Sequence, residues 1–296
     1  MKKNKGIILS GGTGSRFFPV TKSISKQLLA IYNKPMIYYS LSILMMMGIK
    51  NILVIIRPDE KKLYQRLLQS GKQFGIKISY KVQHKPNGIA QCFIIGKKFI
   101  GKSNVALILG DNFFYSSNLE SILSAAIKNN KKGASIFVCK SKKPKEFGVV
   151  EFNKSKIKKI IEKPKFPKSK YVVTGLYLYD NKVVKLARML KPSKRKELEI
   201  TDLNNLYLNR SELKAVKMKS NIKWMDNGTC DSLLETSKFV KKIENKKKTM
   251  VFCPELIAFK KKWINKKQLK QQIVSLSNAD YGRSLKKISF KNEQKK

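Results

Sequence analysis

Short apolar runs alternate with longer amphipathic stretches through the first half of the chain. GIILS (6–10), NILVII (51–56), ISYKVQ (78–83), VALILGD (105–111) and ASIFVC (134–139) predict strands. Most are apolar at successive positions, as expected of strands buried on both faces. Helical patterns separate them: 35–48, which opens on a proline and closes on a glycine, then 59–70, 88–99 and 118–130. Strands joined by helices of this length predict βαβ units, a mostly parallel doubly wound sheet and an α/β fold. In the second half, GVVEF (148–152), IKKIIEK (157–163) and YVVTGLYLY (171–179) predict further strands. Helices follow near 181–190 and 201–209, then a lysine-rich one over 229–247. The tail 254–275 reads as helical and the last residues, KNEQKK, as frayed. No internal repeat or long linker interrupts the pattern, so 296 residues suit one continuous unit with a C-terminal helical elaboration.

Charge complicates this ordinary picture. Lys+Arg is 64 against 19 Asp+Glu, a formal net charge of +45. Such a balance points toward nucleic acid or an anionic membrane surface. Its make-up argues otherwise: seven cations are Arg and 57 are Lys, spread along the whole chain beside abundant Ile and Asn. Base-reading and phosphate-forking surfaces favour Arg, whose planar fork makes paired hydrogen bonds that Lys cannot. Lys, Asn and Ile share AT-rich codons, so the excess reads as composition on a solvated surface, with no specific nucleic-acid partner.

Cys92, Cys139, Cys230 and Cys253 lie far apart, and His84 is the single histidine. That spacing excludes a zinc cluster and a Cys/His nucleophile pair, and fits a reducing, cytoplasmic setting. The basic start lacks the apolar run of a signal peptide, and no stretch approaches the roughly 20 apolar residues of a membrane span.

The first predicted strand runs into Gly11-Gly12-Thr13-Gly14-Ser15-Arg16, with Lys26 ten residues further on. Glycines after a first strand let the backbone approach phosphates and aim N–H groups at them. A dinucleotide fingerprint would need a third glycine opening a helix and an acid about 20 residues on. Here Phe17-Phe18-Pro19 interrupts any helix, 20–34 holds no acid, and the Walker A spacing is absent. What remains is a glycine-rich turn and two cations, suited to a triphosphate with a pyrophosphate leaving group. Asp111 ends the VALILGD strand, where open α/β sheets place their sites, although such an Asp also serves as a cap or turn residue. Asp226, in WMDNG, has the same two readings. Together they offer two hard oxygen ligands for Mg²⁺.

The stretch LSGGTGSRFFPVTKSISKQLLAIYNKPMIYYSLS (9–42) resembles the nucleotide-binding signature of the sugar-phosphate nucleotidylyltransferases, and SKQLLAIYNKPMIYY in particular resembles the glucose-1-phosphate thymidylyltransferases. The likeness continues through GIAQCFIIG (88–96), LGDNFFY (109–115), FGVVEF (147–152), EKP (162–164), VTGLYLYD (173–180), ELEITDLN (197–204) and WMDNG (224–228). It implies a Rossmann-like fold with a sugar-binding subregion: a catalytic domain over 1–240, nucleotide half about 1–112 and sugar half about 113–228, with 241–296 as the helical elaboration. It also implies a homotetramer that joins dTTP and α-D-glucose 1-phosphate into dTDP-glucose with release of pyrophosphate, opening dTDP-rhamnose or deoxysugar synthesis. By the resemblance, Leu9, Gly11, Gly12, Thr13, Gly14, Ser15, Arg16, Lys26, Gln83 and Gly88 hold the nucleotide. Asn112, Gly148, Glu162, Lys163 and Val173 hold the sugar phosphate, and Asp111 and Asp226 bind Mg²⁺. Arg16, Lys26 and Lys163 act as the catalytic cations. A UTP-using enzyme, or one acting on another sugar 1-phosphate, would share the chemistry. A basic binding protein that kept the fold without activity would be expected to have lost some of this set.

His84 beside Gln83 has the look of a general base, yet none is required. A sugar 1-phosphate is already ionised at pH 7, its second pKa being about 6. Direct in-line attack on the α-phosphorus needs positioning and charge neutralisation, and it retains the anomeric configuration. The chain departs from the family at Ala30, where proline is usual, and at Asn227, where threonine follows the metal aspartate. Departures at Tyr115-Ser116-Ser117-Asn118, Leu256 and Lys260 touch the regions that resemble a regulatory nucleotide site between subunits, and imply weakened feedback inhibition.

Overall fold

The computed structural model describes residues 4–218 and 221–290; the KNEQKK terminus lies outside them. Strand β1 (Lys5–Ser10) pairs in parallel with β2 (Asn51–Ile56) on one side and β4 (Val105–Leu109) on the other, and β2 pairs in parallel with β3 (Lys77–Val82). Chain order therefore reverses across β1, and the carboxyl ends of β1 and β4 open a crevice between them. Beyond β4 the nine-stranded sheet turns antiparallel. Strand β9 (Tyr171–Tyr179) joins β4 to β6 (Ala134–Lys140) and to the β7 (Gly148–Asn153)–β8 (Lys156–Glu162) hairpin, while β10 (Leu213–Lys217) runs parallel to β6.

Helices cover both faces of the sheet. Helix α1 (Met36–Met46) is buried at almost every position and starts after Pro35, while Gly48, at φ +79°, turns the chain back toward β2. The apolar-all-round composition of α1 is what a helix sandwiched inside a core requires. Helices α2 (Lys61–Leu68), α5 (Leu119–Asn129), α6 (Val183–Met189), α7 (Ile200–Leu208) and α8 (Cys230–Lys247) follow as the periodicity predicts. Helix α8 crosses the expected boundary at 240, and its N-terminus is fixed by a reciprocal Thr229–Ser232 capping box.

Three expectations need correction. The single helix over 88–99 is two, α3 (Gln91–Ile95) and α4 (Lys97–Ile100). They break at Gly96, where a Cβ would lie 3.2 Å from Ile7 Cδ1, so the backbone itself packs on β1. The continuous helical tail divides into α9 (Pro254–Lys260) and α10 (Lys266–Ser275), because Lys262 takes φ +56° and Asn265 caps a new start. A further helix, α11 (Asp280–Ser289), seats Tyr281 and Leu285 in the core that holds α1 and β2. Finally, the predicted pattern contained no strand at β5 (Asn112–Tyr115), β10 or β11 (Lys223–Asp226). β5 and β11 form a separate antiparallel ribbon in which Asp226 faces Asn112, and that pairing builds the site.

Candidate active site

Two clefts open side by side at the carboxyl edge of β1 and β4. The first, of about 230 Å³, is lined by Leu9, Gly11, Gly12, Gly14, Lys26, Gln83 and Gly88, seven of the ten residues expected for the nucleotide. Of the other three, Thr13 faces an outer groove with Arg57 and His84, Arg16 lines the second cleft, and Ser15 is exposed and lines neither. Gly11 is required by contact: a Cβ there would collide with Gln83 Oε1. Gln83 cannot easily yield, since it is buried and its Nε2 donates to Gln91 Oε1 at 2.6 Å. Gly11→Ala is therefore expected to raise the nucleotide KM about tenfold or more while leaving the fold intact, which steady-state kinetics beside a thermal melt will show. At Gly88 (φ +98°) the space a Cβ would fill is occupied by the Leu198 backbone, which ties the 193–199 loop to the cleft wall.

The second cleft, of about 260 Å³, gathers Asn112, Gly148, Glu162, Lys163 and Val173, the whole expected sugar set, together with Arg16 and Asp226. Glu162 accepts a hydrogen bond from Thr201 Oγ1 at 2.5 Å, and Gly148 leaves room for both, a Cβ there lying 2.9 Å from Thr201 Oγ1. Lys163 adopts φ +41° while its N–H donates to the Phe147 carbonyl at 3.1 Å. A left-handed lysine costs about 1 kcal/mol or more, a strain found where a side chain must be aimed.

The carboxylates sit where the clefts meet. Asp111 lines the first cleft and Asp226 the second, and the walls Ile89, Leu109 and Glu197 are common to both. Asn112 links the pair: its Nδ2 donates to Asp111 Oδ1 at 3.1 Å and to Asp226 Oδ1 at 3.4 Å, while its Oδ1 accepts from Gly175 N at 2.9 Å and Trp224 Nε1 at 2.7 Å. Gly175 stands where the β9–β6 ladder loses register, and a Cβ there would press on the Asn112 amide at 2.6 Å. Burial opposes ionisation of Asp111, but the Lys26 ammonium 2.5 Å away outweighs it and holds the carboxyl below its ordinary value. Asp226 has no ion-pair partner among the described residues. Burial, then the neighbouring Asp111 charge, push it up to about 7 against the weaker pull of Lys26 and Arg16. The seam is thus short of positive charge. No group of three or more His, Cys, Asp or Glu that could hold a metal occurs among the described residues. Two carboxylates alone suit a hard divalent cation that keeps water and phosphate oxygens as its other ligands.

Sequence reasoning missed the Arg195 cluster. Arg195 donates to Glu199 at 2.8 Å and to Glu162 at 3.3 Å and lies 3.8 Å from Glu197, lining the second cleft with Glu199 and Thr201. The available signal was scarcity: Arg195 is one of seven arginines, and Glu197 and Glu199 are two of 19 acids. His84 is exposed and lines neither cleft, consistent with chemistry that needs no base.

Comparison with known proteins agrees with this geometry. A family model for nucleotidyl transferases matches residues 5–243. A Neisseria meningitidis glucose-1-phosphate thymidylyltransferase is 46% identical over 285 residues, covering 96% of this chain and 99% of that one. One from Mycobacterium tuberculosis is 43% identical over 97% of this chain and 100% of its own. A Bacillus anthracis crystal structure, provisionally assigned as a glucose-1-phosphate thymidylyltransferase, superposes with a TM-score of 0.74 at 42% identity, over 80% of this chain and 94% of that one. A UDP-glucose pyrophosphorylase bound to UDP-glucose superposes with a TM-score of 0.71 at 25% identity, over 82% of this chain and 100% of that one. Fold, seam and sequence together place this chain in the nucleotidyl transferase family.

Proposed function

We propose that this protein transfers a thymidylyl group from dTTP to α-D-glucose 1-phosphate, giving dTDP-glucose and pyrophosphate. The observation that carries the reading is the seam. Asp111 and Asp226 come from two clefts with common walls, so a nucleotide in one and a sugar phosphate in the other meet at the carboxylates. Mg²⁺ bound by these two residues would supply Lewis-acid stabilisation of the α-phosphoryl group. The chain supplies the rest. Gly11, Gly12 and Gly14 offer backbone close to the phosphates, and Lys26 is the cation of the nucleotide cleft. Arg16 and Lys163 place two cations in the sugar cleft, where the attacking phosphate oxygens must lie. Glu162, held by Thr201 and Arg195, presents a fixed acceptor to sugar hydroxyls. Dry, preorganised positioning of an already ionised nucleophile is then the main contribution. Assembly as a homotetramer and a cytoplasmic location belong to the same reading. Among the described residues no helix is long and apolar enough to cross a membrane.

Pyrophosphate release with Mg²⁺ and glucose 1-phosphate, compared across dTTP, UTP, ATP, CTP and GTP, tests the proposal. We expect dTTP to give the highest kcat/KM. A preference for UTP would keep the mechanism and overturn the base assignment, and no release with any nucleotide would overturn the function.

A further inference from the structure

The two carboxylates are set by a reciprocal clasp of two Asp-Asn dipeptides. Asn112, beside Asp111, reaches across to the Asp226 side chain. Asn227, beside Asp226, reaches back to the Asp111 backbone: its N–H and its Nδ2 both donate to the Asp111 carbonyl, at 3.1 and 2.9 Å. The N–H alone would satisfy that carbonyl, so the side-chain bond is a second tether on one oxygen. Asn227 is 0% exposed, and its Oδ1 is held in turn by Thr236 Oγ1 at 2.6 Å. Thr236 is also 0% exposed and lies two turns into α8, in contact with neither carboxylate. Its single hydroxyl proton faces three acceptors: Asn227 Oδ1, the Ser232 carbonyl at 2.8 Å and Met225 Sδ at 3.2 Å. A path of hydrogen bonds therefore runs from the body of α8 through Thr236 and Asn227 to the backbone of Asp111.

We propose that Asn227 and Thr236 are positioning residues that fix the separation of Asp111 and Asp226, with α8 as the reference frame. The inference rests on reading those carboxylates as the cation ligands. Two like charges forced together in a cleft drift apart unless their backbones are held, and a drifted pair binds a small octahedral cation poorly.

Mn²⁺ titrated into the full chain, with the free-ion EPR signal as readout, tests this. Thr236→Val keeps shape and removes the hydroxyl, Asn227→Leu keeps the backbone N–H and nearly the volume while removing the amide, and Thr236→Ser keeps the donor. We expect the first two each to weaken Mn²⁺ binding about tenfold, the scale on which groups that orient a metal's ligands act, and Thr236→Ser to stay within about twofold of wild type. A purely structural role predicts something different: a lower thermal midpoint in EDTA with Mn²⁺ affinity unchanged in Thr236→Val and Asn227→Leu, and that result overturns the inference. If Asp226→Asn binds Mn²⁺ as well as wild type, or wild type binds none, the cation site itself fails and the inference with it. Should Thr236→Val not fold, Asn227→Leu decides alone.

Discussion

Asp226→Asn is expected to abolish thymidylyl transfer while leaving the metal-free protein as stable as the wild type, or more so. The loss should be at least about 1,000-fold in kcat, on the order of 4 kcal/mol, because on the proposed reading one of the two carboxylates that would hold the cation is replaced by a neutral amide. The stability arm follows from the same electrostatics. Burial and Asp111 raise the folded pKa of Asp226 to about 7 from the usual 3.8. A carboxyl with a raised folded pKa favours the folded state most where it is protonated in both states, below 3.8. That advantage is lost progressively between 3.8 and about 7, above which the folded protein carries an unpaired buried charge. Asparagine resembles the protonated acid and avoids the penalty. Thermal melts in EDTA at pH 5 and pH 8 should therefore show wild type losing ground to Asp226→Asn as pH rises. Equal pH dependence in the two proteins would show that Asp226 is not held at a raised pKa. Undiminished activity would remove it from the reaction. Asp111→Asn should be equally inactive without the stability gain, since Asp111 is already neutralised by Lys26.

The second large effect lies away from the clefts. Lys34, in the short hairpin at 30–35, is buried with its ammonium 2.9 Å from Glu244 Oε1, and the two side chains are 1% and 8% exposed. Glu244 also accepts from Val251 N at 2.8 Å and Asn33 Nδ2 at 2.9 Å. Desolvation pulls the Lys34 pKa down, and the Glu244 charge only partly restores it. Glu244→Gln keeps an acceptor for Val251 but removes the charge that neutralises the buried ammonium, which retains only neutral partners such as Asn33 Oδ1 at 2.7 Å. It should cost roughly 3–5 kcal/mol, the usual consequence of breaking a buried pair from one side. For a chain of this size that lowers Tm by about 10 °C. Lys34→Met combined with Glu244→Gln should recover most of the loss, because the remaining groups are neutral and hydrogen-bonded. A Glu244→Gln variant within about 1 kcal/mol of wild type in urea would show that the pair does not hold the hairpin to α8. Activity should follow stability here, since that hairpin follows closely on the helical turn that carries Lys26, and α8 follows closely on β11, which ends at Asp226.

The sequence by itself determined the parallel half of the sheet and the glycine-rich turn. Their signals are local: apolar runs such as VALIL need no partner to be recognised, and Gly11-Gly12-Thr13-Gly14 at a strand end has few other uses. It also brought forward Asp111 from its place at a strand end, Asp226 from the WMDNG block, and Glu162 because acids are scarce in a chain that has only 19. Lysines could not be sorted the same way. Lys26 and Lys163 emerged from their motifs, whereas Lys34 stayed hidden among 57, since burial is a property of what surrounds a side chain. The tertiary structure alone decided the rest. β5 and β11 are four residues each and carry no alternation, so only their pairing, across 114 residues from Asn112 to Asp226, reveals them as strands. That pairing sets the two carboxylates together and gives Asn227 its carbonyl to hold. Arg195 reaches the second cleft because the Leu198 backbone packs into the space left by Gly88, a long-range contact with no periodicity to betray it. The chemistry was written locally in the chain, and its alignment depends on pairings that only the folded backbone makes.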